Sequence, residues 1–196
     1  MWIRSLTYIY DNLLNVLKLI FLVVFLFPVT LTANEPITAI DVKAAYLFQF
    51  TRFIEWPMLK NEPINEKFIF CVLGKDPITK LLQPLSQLKV EQHPIAVKAI
   101  KATDDISSCE ILYIALSEKA NLNKILKQVQ KNSILTVSSI PEFSHNGGMI
   151  NFIIAEKKVR IVVNLFTARK AKLKISAKLL EISINVIQKS PDQEDL

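Results

Sequence analysis

The sequence predicts an α/β domain: a mixed central sheet with parallel strands, an antiparallel C-terminal hairpin, and helices on both faces. Three observations predict it. Short apolar, β-prone runs alternate with helical periodicity from residue 68 to residue 139, the order expected of parallel strands joined by crossovers. Two later apolar runs, 149–155 and 159–163, are separated only by Glu156, Lys157 and Lys158, which reads as a hairpin added to the sheet. A long aromatic helical segment precedes the first strand.

In chain order, the first 33 residues stand apart. The unbroken apolar run 19–29 follows Lys18 and gives way to "TLTANEP". A basic flank, a short apolar core and a small-residue exit at Ala33 make a secretory signal over 1–33. The alternative is an uncleaved anchor, because Leu13, Leu14, Val16 and Leu17 can lengthen the run toward the ~20 residues of a spanning helix. Either way the remainder is exported, and the periplasm is its expected address. Membrane contact is expected only through a partner or through that uncleaved segment.

The domain is expected over 34–189. "TAIDVKAAYLFQFTRFIEWP" reads as a helix capped by Thr38 or Asp41 and ended by Pro57. Its apolar positions surround most of the cylinder, so it is buried on more than one side. "FIFCVL" is the first inner strand. Gly74 then gives a sharp exit, Asp76 an N-cap and Pro77 a first helical position, with a break at Pro84. "HPIAVKAI", "EILYIAL" and "SILTVSS" are further strands. Ser117 is the expected cap of the helix "EKANLNKILKQVQ". "LFTARKAKLKISAKLLEISINVI" looks helical in two pieces, and 190–196 is an expected disordered tail.

The whole chain carries 24 basic and 18 acidic side chains, a net charge of +6. This mild excess suits attraction to acidic surfaces and falls short of a nucleic-acid signature. Cys71 and Cys109 are the only cysteines. In an oxidising compartment they suggest one disulfide, with two buried thiols as the alternative.

Catalytic chemistry is not signalled. The two histidines, His93 and His145, have no zinc-ligand spacing with a cysteine. No serine or cysteine sits in a nucleophile motif. No cofactor, metal or enzyme activity is expected. Gly74, Lys75 and Asp76 sit between a strand and a helix start, where an anion can bind, but one glycine makes neither a Walker nor a Rossmann loop. The basic stretch from Lys157 to Lys178, without an acidic residue, is a solvated face or a contact for an acidic partner or lipid headgroups.

Two features are candidates for binding. Tyr46, Phe48, Phe50, Phe53 and Trp56 crowd eleven positions of one helical segment. One helix cannot easily turn all five toward one sheet, so part of that surface suits a partner or a dimer, where aromatics are enriched. The second is "HNGGMINF". Gly147 and Gly148, two of only three glycines, precede Met149, Asn151 and Phe152. One glycine makes a turn; two suggest a tight backbone approach or a surface left bare.

The segments "VKAAYLFQFTRFIEWP", "FCVLGKDP", "CEILYIA", "ILTVSSIPEFSHNGGMINF" and "VRIVVNLFTARKAKLKISAKLL" occur in the order of YfiR-type periplasmic proteins. The resemblance covers residues 40–182, and its most specific parts are Glu55-Trp56-Pro57 and Gly147–Phe152. It implies a periplasmic repressor that binds the periplasmic sensor region of an inner-membrane diguanylate cyclase and lowers cyclic-di-GMP, with an α/β fold and members that can dimerise. Disulfides that affect stability and control in the family support the Cys71–Cys109 pairing. A second cysteine pair seen in some members has no counterpart in the glycine-rich turn. Other departures are Ala171-Lys172-Leu173 where Ala-Gly-Leu is common, Ala177 after Ile175-Ser176, and Val162-Val163-Asn164 where an acidic residue commonly precedes Ile-Asn. The partner-binding surface expected on this ground combines Phe48, Phe50, Phe53, Trp56, Gly147, Gly148, Met149, Asn151 and Phe152. A small-molecule binding module with its pocket near Gly74–Pro77 is the competing expectation.

Overall fold

Strand alternation decides what each side chain of this chain packs against. A computed structural model describes residues 36–57 and 66–189, together with Lys18. The signal segment 1–33 and the tail 190–196 lie outside the described residues, Lys18 excepted. The described residues from Ile37 onward belong to one compact unit.

Helix α1 (Ala39–Phe53) starts at a capping box. The Thr38 hydroxyl accepts from the Asp41 backbone N–H at 3.4 Å, and the Asp41 carboxylate accepts from the Thr38 N–H at 2.8 Å, so the orphan donors of the first turn are satisfied locally. The Thr38 hydroxyl also donates to the Asp41 carboxylate at 2.6 Å, and this bond, with the one from the Thr38 N–H, holds the Asp41 carboxyl below its ordinary value. The helix stops earlier than the expected Pro57. Ile54–Glu55 leaves it as a short strand, β1, paired antiparallel with β9 (Lys174–Ile175). A strand partner from far along the chain captures the last turn, which local propensity cannot register.

The main sheet holds β2 (Phe68–Leu73), β3 (Lys89–Val90), β4 (His93–Ile100), β5 (Ile111–Ile114), β6 (Leu135–Ser138), β7 (Ile150–Ala155), β8 (Lys158–Asn164) and β10 (Asn185–Ile187). Its order is β10-β8-β7-β6-β5-β2-β4-β3. The run β4-β2-β5-β6-β7 is parallel, and β7–β8 is the expected antiparallel hairpin, with Ile150 opposite Val163 and Ala155 opposite Lys158. Residues 185–187, read as helical from sequence, instead form edge strand β10, parallel to β8. β3 was likewise absent from the sequence reading; it forms a tight hairpin with β4.

Three short helices, α2 (Ile78–Leu82), α4 (Leu165–Lys170) and α5 (Ala177–Glu181), and the longer α3 (Leu122–Val129) complete the layers. Ser117 does not cap α3. A 3₁₀ turn, Leu116–Asn121, intervenes, and the Ser117 hydroxyl accepts from the Lys75 N–H instead, at 3.1 Å.

Alternation along the strands makes two cores. On the first face, Phe68, Phe70 and Val72 of β2 join Tyr113, Leu135, Phe152 and Ile161 beneath Leu47 and Phe50 of α1. Phe50 stacks on Phe152 with centroids 6.0 Å apart, and Tyr46 closes on the same ring at 5.9 Å. On the second face, Cys71 and Leu73 of β2 join Leu112 and Ile114 of β5 under Leu122, Ile125 and Val129 of α3.

Helix α4 ends in a Schellman turn without its usual glycine. Lys172 N–H donates to Arg169 O at 2.9 Å and Leu173 N–H to Ala168 O at 3.0 Å, the paired bonds of that motif. Lys172 therefore takes the left-handed conformation, φ +62°, at the position where a glycine carries no steric penalty. A side chain at this position adds local strain.

Candidate interaction surface and its supports

The aromatic helix divides between core and surface. Phe50 is fully buried and Trp56 nearly so, whereas Phe48 and Phe53 are half-buried. Phe48 borders a shallow groove of about 260 Å³ with Asp41, Ala44, Ala45, Leu81 and Leu85. Ala45 and Leu81 are exposed there, so α1 and α2 present apolar surface side by side.

Trp56 anchors the end of α1. Its indole N–H donates to the Glu110 carbonyl at 3.2 Å, and its ring meets Phe68 edge-on at 5.1 Å. Glu110 also receives the Ile69 N–H on its carboxylate, and its own N–H donates to Ile69 O at 3.0 Å. Glu110 thus ties the starts of β2 and β5 to Trp56. This role has no composition signal; it depends on which strands become neighbours.

The glycine pair has two different causes. Gly147 adopts φ +94°, where a side chain is strained, and a Cβ there would meet open space. Gly148 is a close approach: a Cβ would lie 2.2 Å from the Phe143 ring. Phe143 is completely buried and was not singled out from sequence. Its ring explains the second glycine.

Met149, Asn151 and Phe152, from the same motif, are buried. Asn151 is a structural clamp: its amide donates to Ile140 O at 3.0 Å and Ser138 O at 3.2 Å. Ser138 in turn donates to Ile114 O at 2.7 Å and accepts from the Ile140 N–H at 3.0 Å. Asn164 donates to Ser144 O at 2.7 Å and accepts from Thr167 N–H at 2.8 Å, capping α4. These bonds seat the 139–148 loop on the second face, where β6, β7 and β8 turn polar side chains inward.

At Gly74-Lys75-Asp76 the anion position is taken by the chain itself. Asp76 Oδ1 accepts from the Ile78 N–H at 2.9 Å, and its other oxygen accepts from the Tyr113 hydroxyl at 3.2 Å. Gly74 has φ +91°, and a Cβ there would lie 2.6 Å from the Ser117 hydroxyl oxygen. Tyr113 is buried, and that burial, with the Asp76 carboxylate as a smaller contributor, pushes its phenol up to about 12. The turn is closed by its own hydrogen bonds.

The YfiR/HmsC-like family model (DUF4154) matches residues 40–184. The chain belongs to that family. No curated protein matches it. At family level it is a periplasmic regulator in cyclic-di-GMP signalling, and the YfiR/HmsC-like family is regulatory rather than catalytic.

The disulfide agrees with an exported YfiR/HmsC-like protein. Cys71 and Cys109 are bonded, with Cα atoms 5.9 Å apart. They meet because β2 and β5 are adjacent, and both side chains lie in the second core. Among the described residues no helix is long and apolar enough to cross a membrane.

Proposed function

We propose that this protein represses an inner-membrane diguanylate cyclase by binding the cyclase's periplasmic sensor region. The observation that carries the reading is the family match across residues 40–184. Control by binding requires that the inactive sensor state be held more tightly than the active one. A tenfold preference, about 1.4 kcal/mol, already moves the balance tenfold.

The contact begins at the groove of α1 and α2. Of the nine residues expected at the partner surface, Phe48, Phe53 and Gly147 retain exposure in the free chain, and the other six are buried. The buried six act as supports: Phe50 and Phe152 hold α1 on the sheet, and Trp56 fixes its end. Phe48 with Ala45 and Leu81 then forms the apolar centre of the docking patch.

The test is intracellular cyclic-di-GMP in a deletion strain and in strains complemented by the native chain, Ala45→Glu or Leu81→Glu. Deletion should raise the nucleotide and the native exported chain should restore it. Both variants should fail to restore it while keeping the native melting temperature. No rise on deletion removes the repressor reading. Full restoration by both variants keeps the repressor and moves its contact surface elsewhere.

A further inference from the structure

A second concavity lies away from the α1 groove. It is a cleft of about 340 Å³ between α3, the Asn146-Gly147 turn and α4. That volume falls within the roughly 300–1,000 Å³ typical of small-molecule sites.

Its chemistry is one-sided. Lys127 of α3 and Lys170 of α4 both line it, and no carboxylate does among the described lining residues. Lys170 is partly preorganised, its ammonium 4.4 Å from the centroid of the Phe166 ring, another wall of the cleft. The floor includes Thr136, only 1% exposed. Its hydroxyl oxygen accepts from the Met149 N–H at 3.1 Å, which leaves the hydroxyl hydrogen to donate. Asn164, also on the floor, is held by its bonds to Ser144 and Thr167. Gly147 lines the mouth with open space where a Cβ would stand. Two cations at the rim, a buried donor on the floor and apolar walls suit an anionic group on a small organic body.

We propose that this cleft binds a small soluble organic anion bearing a phosphate or carboxylate group. The proposal concerns the isolated protein and stands independently of the cyclase reading. It also gives the basic residues of α3 and α4 a use beyond solvation.

The experiment is an amide NMR titration of the protein purified after expression of the full chain. The probes are sn-glycerol 3-phosphate and citrate, with glycerol as the neutral control and phosphatidylglycerol vesicles as the lipid source of the same headgroup chemistry. Saturable shifts at Thr136, Gly147 and Thr167 with either soluble anion, and none with glycerol, are expected. The exposed double variant Lys127→Gln/Lys170→Gln should bind about tenfold more weakly with the first-core amides unmoved. The proposal is overturned by no saturable shift with either anion, by equal shifts with glycerol, or by unchanged affinity in the double variant. Response to vesicles alone also overturns it, in favour of a membrane-surface contact.

Discussion

On the first face of the sheet, Tyr46, Phe50 and Phe152 close the core by ring packing beneath α1. On the second, the same strands are held by the Cys71–Cys109 bridge, by α3, and by hydrogen bonds from Ser138, Asn151 and Asn164. The difference follows from what lies above each face. A long helix apolar on most sides can seal strands by burial alone. An irregular loop brings backbone groups that need partners once they leave water, so the strands beneath it carry amide and hydroxyl side chains. The first face therefore supports the proposed docking helix, and the second carries the cleft.

The largest effect expected is on the first face. Phe50→Ala removes a fully buried ring that touches both Tyr46 and Phe152, and should cost about 3–5 kcal/mol in equilibrium denaturation. A loss under about 1 kcal/mol would show that α1 is not sealed by ring packing.

The second face should answer next. The bridge spans 38 positions, and closing such a loop stabilises by about 4 kcal/mol in the chain-entropy model. Cys71→Ser with Cys109→Ser should lower stability by up to that amount. If the pair is structural, the variant still represses at permissive temperature; if it regulates, repression is lost while the fold survives. Measuring melting and cyclic-di-GMP together separates the two.

Alkaline pH tests the first core through Tyr113. Its folded-state value is raised to about 12 from an ordinary value near 10. Both states are protonated below pH ~10, so nothing is lost there. Between pH ~10 and ~12 the unfolded chain ionises first, and stability should fall by about 2 kcal/mol. Tyr113→Phe should flatten that part of the profile. An unchanged slope would assign the loss to other groups.

The smallest effect lies outside both cores. Lys172 sits at φ +62° in the Schellman turn, so Lys172→Gly should stabilise by up to about 1 kcal/mol. A destabilised variant would mean that the lysine side chain contributes more than its backbone strain costs.

Much of this was legible in the residues. Short apolar, β-prone runs marked β2, β5 and β6, the Glu156-Lys157-Lys158 break marked the β7–β8 hairpin, and Thr38 with Asp41 marked the start of α1. Cys71 and Cys109 announced their bridge by compartment and number. Of the candidate surface, the aromatic crowd on α1 was visible, but its division into half-buried Phe48 and Phe53 and buried Phe50 and Trp56 was not. Residues 54–55 and 185–187 also read wrongly as helix. Both are short strands whose hydrogen-bond partners, β9 and β8, are supplied from elsewhere in the chain, and a two- or three-residue segment has too little periodicity to declare itself.

By itself, then, the sequence determined the classes of segment, the cap of α1, the turn at Gly74 and the redox pairing, because each is set by neighbouring residues or by composition. Tertiary structure alone decided the strand order, the close approach of Phe143 to Gly148, the linking role of Glu110 and the cleft between Lys127 and Lys170. Each of these joins residues distant along the chain, and their proximity exists only once the sheet has fixed which strands are neighbours.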